Sequence, residues 1–205
     1  MVKVRQIGRP PPGRPREFDV DEALDKALMA FWRRGFEGTS LTDLTDAMGI
    51  SRPSLYAAFG NKEELYRRAL DRYAEMGPWS IQRSALAEPT VRAVVEALLR
   101  KAAISLTDPN HPAGCMAVSG ALSCGEASDT IRQELCARQS AGERELLERF
   151  ERAKAEGDLR ADADPAALAR YVSTLLQGMA VQASGGATRD ELLGVAEMAL
   201  KSWLA

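Results

Sequence analysis

The chain contains one histidine and three cysteines. A single histidine excludes a multi-histidine metal centre built within one chain, and the cysteines do not follow zinc spacing. An odd number of thiols excludes a fully paired disulfide framework and fits cysteines kept reduced. Nowhere do about eighteen apolar residues run together, so no membrane-spanning helix is expected. The opening Met1-Val-Lys-Val-Arg5 brings charge without an apolar segment and does not read as a secretion signal, which points to a cytoplasmic location. There is no phosphate-cradling glycine loop and no haem signature, so no cofactor is expected. No stretch alternates apolar and polar residues for the length of a useful strand, and no internal repeat is visible.

What remains is an ordinary globular composition, 45% apolar and 27% charged over 205 residues. The net charge of −2 is unevenly spread. Residues 1–16 carry Lys3, Arg5, Arg9, Arg14 and Arg16 and no acid. Residues 17–75 carry twelve acids against eight bases. Pro10, Pro11, Pro12 and Pro15 keep the basic stretch out of a helix, so residues 1–16 read as a disordered basic arm.

From residue 18 onward the pattern is helical. Val20, Ala23, Leu24, Ala27, Leu28 and Phe31 recur with helical spacing, Asp19 stands at the cap position, and Gly35 stands where the helix ends. Ser40-Leu-Thr-Asp43 and Asn61-Lys-Glu-Glu64 read as capping boxes. Between them lie two short helices joined at Gly49-Ile50, with Ser51 capping the second, which is the geometry of a helix-turn-helix. Further on, Val91 to Ala102 form an apolar stripe and His111-Pro-Ala-Gly114 breaks the chain. Long helices follow from Ser128 to about Ala155, from Asp164-Pro165 to about Ala183, and from Thr188 to about Trp203. The fold class expected is all-α with about nine helices.

A denser set of residues goes further. Phe31-Trp-Arg-Arg-Gly-Phe36, Thr39-Ser-Leu-Thr-Asp-Leu44, Ala47-Met-Gly-Ile-Ser51, Ser54-Leu-Tyr56, Phe59 and Asn61-Lys-Glu-Glu-Leu65 together resemble the DNA-binding domain of TetR-family transcriptional regulators. The resemblance covers residues 17–75. It implies an N-terminal helix-turn-helix domain there and a ligand-binding, dimer-forming helical domain over residues 76–205. The function implied is a ligand-responsive repressor that binds a palindromic operator as a homodimer. Carried over by position, Thr39, Ser40 and Thr42 would meet phosphate. Ser51, Arg52, Pro53 and Ser54 would open the recognition helix, and Arg52 is the candidate for reading guanine. Tyr56 and Lys62 would reach the backbone, and Arg14 and Arg16 of the arm would add contacts, with Arg9, in a minor groove. Leu44, Leu55 and Phe59 read as core. Two positions depart from the family pattern: Pro53 stands where many members have glycine, and Ala58 where many have histidine.

The second domain is less explicit. Met76, Trp79, Ile104, Cys115, Met116, Phe150 and Gln177 are candidates for a ligand pocket, although methionines and aromatics at helical spacing also serve as plain core. Tyr171, Leu175, Gly178, Met179, Gly194, Met198 and Trp203 lie on the last two helices and are candidates for the dimer interface. Cys115 follows a glycine turn at an expected helix start, a setting that favours thiolate. That supports an alternative reading, a redox- or electrophile-sensing regulator. Cys115 and His111 could also be proposed as a nucleophile–base pair for an enzyme, but no third group orients them, so turnover is not expected. A helical scaffold without DNA binding would leave the basic arm, Arg52, Tyr56 and Lys62 without purpose.

Because residues 17–75 are net acidic, the arm should supply much of the attraction to DNA. Deleting residues 2–16 should weaken operator binding and flatten its salt dependence, by about one unit of log–log slope for each phosphate that the arm no longer neutralises. Titration at several salt concentrations reads this directly; unchanged affinity would remove the arm from the interface.

Overall fold

The computed structural model describes residues 18–125 and 128–203, with the side chains of Pro78 and Trp79 outside that description. Arg9, Arg14 and Arg16 therefore lie outside the described residues. Among the described residues there are ten helices and no strand: α1 Val20–Arg34, α2 Leu41–Met48, α3 Arg52–Phe59, α4 Lys62–Met76, α5 Pro78–Leu86, α6 Val91–Leu106, α7 Met116–Ser123, α8 Asp129–Glu156, α9 Pro165–Ser184 and α10 Arg189–Lys201. The all-α expectation holds. The helix without a counterpart in the sequence reading is α5, which has Pro78 at its start but no side-chain cap on Gly77.

The helix starts follow capping chemistry. The Asp19 carboxylate accepts from the amides of Asp21 and Glu22. Complete capping boxes form at Ser40/Asp43, Asn61/Glu64 and Thr188/Glu191. Asp164 receives the amides of Ala166 and Ala167 ahead of α9. Each bond pairs a helix-start N–H that has no partner inside the helix.

Two apolar clusters organise the chain. One joins α1 to α4 and takes in Met116 of α7 and Ile131 and Leu135 of α8. The other gathers α6, α9, α10 and the second half of α8, from Val94 and Leu98 through Phe150 to Trp203. Helix α8 therefore runs through both, and α1 packs chiefly on α4 while α8 packs chiefly on α9. Between α1 and α4, Arg72 forks onto the Asp25 carboxylate at 2.9 and 3.2 Å. Between α4 and α8, Arg67 meets Glu134 at 2.8 Å and Arg138 meets Asp71 at 2.7 Å.

The buried Arg149 stitches the α5–α6 turn onto α8. Its guanidinium donates to the carbonyls of Leu86, Glu88 and Pro89. Hydrogen bonds from a charged donor contribute more than neutral ones. Arg149→Met should lower stability by about 2 kcal/mol. Arg152→Met, which breaks an exposed 3.9 Å pair with Glu156, should stay within about 0.5 kcal/mol. Urea denaturation of both variants compares them; equal destabilisation would remove Arg149 from its structural role.

Candidate nucleic-acid interface and adjoining cavities

Helices α2 and α3 form the helix-turn-helix. Gly49 takes φ 69° and ψ 30°, the left-handed geometry that reverses the chain after α2 without a Cβ clash. Leu44, Leu55 and Phe59 are buried, as expected, and fix how the two helices sit on α1 and α4. Arg68 of α4 donates to the Ala58 carbonyl at 3.1 Å, holding the end of α3. Ala58 is itself buried, so the position where many relatives carry histidine is here part of the core.

The outer side of α3 carries Ser51, Arg52 and Pro53 and, one turn on, Tyr56, all exposed. The Ser51 hydroxyl caps the Ser54 amide at 3.3 Å and lies 2.9 Å from the Ser54 hydroxyl. Pro53 falls in the first helical turn, where no amide donor is needed. Arg52, Tyr56 and Thr42 present exposed side chains, and exposed groups of these types suit phosphate and base edges.

Two expected phosphate ligands are otherwise engaged. Thr39 is fully buried and its hydroxyl donates to the Gly35 carbonyl at 2.7 Å, so its role is to close the turn after α1. The Ser40 hydroxyl accepts from the Asp43 amide and donates to the Asp43 carboxylate at 2.6 Å. That carboxylate also holds Arg34 at 2.6 Å. The Ser40 hydroxyl, the Ser40 amide and the Arg34 guanidinium together bring Asp43 down to about 2. Lys62 opens α4 with its ammonium 4.4 Å from the centre of the Phe36 ring. Partial burial lowers its pKa, against the opposing pull of the Glu37 and Asp43 carboxylates.

Behind this surface are two cavities. The first, about 230 Å³, lies among α4, α6, α7, α8 and α9, with Leu98, Val118, Leu146 and Leu176 as apolar wall and Arg138 and Gln139 as polar wall. Cys115 and Gln177, both expected in a pocket, line it. Met76 and Ile104 instead border the second cavity, about 440 Å³, beside Trp32 and His111. Tyr73, Ile81 and Ser105 border both. Met116 and Phe150 are corrections: each is buried in an apolar cluster and lines neither cavity described. The Trp79 side chain lies outside the described residues. The sequence reading missed Arg138 and Gln139. Their neighbour Gly142, an isolated glycine inside a 28-residue helix whose carbonyl accepts from Gln82 at 3.2 Å, was the one signal for this face.

On the last two helices, Tyr171, Val181, Val195 and Met198 are exposed apolar side chains, and Gly178 and Gly194 open onto free space. Leu175 is half-buried. Met179 and Trp203, expected at an interface, are buried in the chain's own core, Trp203 edge-on to Phe150 at 6.0 Å.

Comparison with known proteins bears on this arrangement. The family model for bacterial regulatory proteins of the tetR family matches residues 23–69. The model for the tetracyclin repressor-like C-terminal domain matches residues 87–192. The transcriptional repressor ComR of Escherichia coli is 34% identical over 192 residues, 93% of this chain and 91% of that protein. BdcR, a repressor of the same organism, is 31% identical over 193 residues, 92% of this chain and 90% of its own length. The TetR family regulator CifR, solved as a cysteine variant complexed with a 26-base-pair operator, superposes with a TM-score of 0.89 at 42% identity, covering 93% of this chain and all of CifR. Among the described residues no helix is long and apolar enough to cross a membrane. With both halves matched by family models and a repressor aligned along nine-tenths of its length, the chain belongs to the TetR family of bacterial transcriptional regulators.

Proposed function

We propose that the chain is a homodimeric repressor that grips a palindromic operator through α3 and the basic arm and lets go when a small molecule enters the first cavity. The observation that carries this reading is the split character of α3. Its inner side is sealed by Leu55 and Phe59, and its outer side offers Arg52 and Tyr56. Arg52 reads guanine, Tyr56, Thr42 and Lys62 hold phosphates, and residues 17–75 form the DNA-binding unit ahead of an effector domain. The exposed apolar strip on α9 and α10 supports pairing of two copies, since such a strip costs solubility unless covered. ComR and BdcR are named as repressors and CifR was solved on operator DNA, which supports the same role here.

The mechanism is a two-state shift. Two recognition helices fit successive major grooves when they stand about 34–36 Å apart or a multiple of that. An occupant of the cavity favours a different spacing. Moving the population from 99:1 to 1:99 takes ~5.5 kcal/mol of differential affinity. The test is selection of bound genomic fragments followed by footprinting with wild type and Arg52→Ala. The expected result is a palindromic footprint that Arg52→Ala weakens by about 1–3 kcal/mol, most strongly at a guanine. Equal footprints for both proteins would take base reading away from Arg52.

A second reading has its own observation. Cys115 lines the first cavity and faces the Tyr73 hydroxyl. Cys136 is exposed, whereas burial pushes the Cys124 thiol up. A thiol at the cavity wall suits release by an oxidant or a soft electrophile. Cys115→Ser should bind operator like wild type and resist release by N-ethylmaleimide in a gel-shift assay. Release that persists in this variant would rule out Cys115 as the trigger.

A further inference from the structure

Helix α7 touches the first cavity at one end and, at the other, α1, α4 and the segment that leads from α1 into α2. At its start, Cys115, Ala117 and Val118 line the cavity. At its middle, Gly120 lies so close to α4 that a Cβ there would sit 2.6 Å from the Tyr66 hydroxyl. That hydroxyl is buried without a hydrogen-bond partner, so contact with α7, not a polar bond, sets the spacing. The Tyr66 ring packs edge-on against Phe31 at 4.9 Å and Phe36 at 5.1 Å, which brings α7 against the end of α1. Just past its end, the Gly125 amide donates to the Glu37 carboxylate at 2.8 Å. The Ser123 hydroxyl sits 2.9 Å from where a Cβ on Gly35 would lie. Glu37 is exposed and follows Phe36, whose ring carries the Lys62 ammonium 4.4 Å from its centre, so the carboxylate acts on that ammonium.

Resting on the repressor reading above, we infer that α7 is the element that carries the effector signal, that the Gly125–Glu37 hydrogen bond is its output contact, and that Glu37 is a positioning residue for Lys62. Held by Gly125, Glu37 leaves the Lys62 ammonium open to a phosphate. When an occupant of the cavity displaces the start of α7, the tight contacts at Gly120 and Gly35 leave the helix little room to bend locally, so it shifts as a unit. Gly125 then withdraws, and the freed carboxylate pairs with Lys62 and takes it out of the DNA contact. Gln at position 37 keeps the acceptor but not the charge, and Ala keeps neither, so the two variants separate the hydrogen bond from the ion pair.

Coupling between two sites is reciprocal, so operator DNA must be felt at Cys115. The test uses full-length protein with Cys124→Ser and Cys136→Ser, leaving Cys115 as the sole thiol. N-ethylmaleimide labelling is followed by mass spectrometry with and without operator. The expected result is a labelling rate that operator changes by at least about 5-fold, the lower end of ordinary coupling. Glu37→Ala and Glu37→Gln should both bring that ratio to one, since neither leaves a carboxylate to take Lys62 from the DNA, and only Glu37→Gln should still protect the Gly125 amide. Hydrogen exchange at the Gly125 amide reads the same contact without a label, slowed by operator in wild type and unaffected in Glu37→Ala. A ratio unchanged in Glu37→Ala, or absent in the parent while operator binding is intact, overturns the relay. A parent that binds no operator instead overturns the repressor reading.

Discussion

Eight residues are too few for a helix to hold its shape in water, and α2, α3 and α7 are each eight residues long. These are the two helices of the helix-turn-helix and the one that runs from the first cavity to the end of α1. Their geometry is therefore not their own. Leu44, Leu55 and Phe59 bury α2 and α3 against α1 and α4, Met116 buries the start of α7, and the Phe31–Phe36–Tyr66 cluster sets where the longer helices meet. Packing of rigid side chains tolerates few intermediate arrangements, so a change at this cluster repositions whole helices.

Polar contacts add direction to this packing without dominating it. The ion pairs between α4 and α8 are partly exposed, and such pairs contribute little to stability. Their value is geometric, since Arg138 reaches Asp71 while also forming part of the first cavity's wall. Arg149 differs because it is buried and grips three carbonyls of the α5–α6 turn. At the helix-turn-helix, Asp43 is saturated by Ser40 and Arg34, which fixes the start of α2, while Thr42, Arg52 and Tyr56 face outward.

Much of the fold was legible because capping chemistry is local. Ser40, Asn61, Asp164 and Thr188 each sit where a helix start requires them, and Gly49 marks the turn between α2 and α3. Helix α5 was not legible because Gly77 supplies no capping side chain and only Pro78 announces it. In the site, residue type misled where two roles share one chemistry. A threonine hydroxyl suits a phosphate or a carbonyl equally well, and for Thr39 burial decided in favour of Gly35. Met116 and Phe150 were apolar candidates for a cavity wall, yet which apolar side chains border empty space depends on how distant helices stack. The polar wall, Arg138 and Gln139, lay hidden in a helix whose charge pattern resembles a solvated face.

Tyr73, Ile81 and Ser105 form a partition between the two cavities. On the far side of that partition, Trp32 of α1 stacks on the single histidine, His111, at 4.5 Å and meets the Tyr73 ring edge-on at 4.7 Å. The two spaces share this wall. A guest that pushes the Tyr73 ring outward enlarges one chamber at the expense of the other and presses on the Trp32–His111 stack. The Tyr73 ring is thus a movable boundary through which a change of volume on one side is felt on the other.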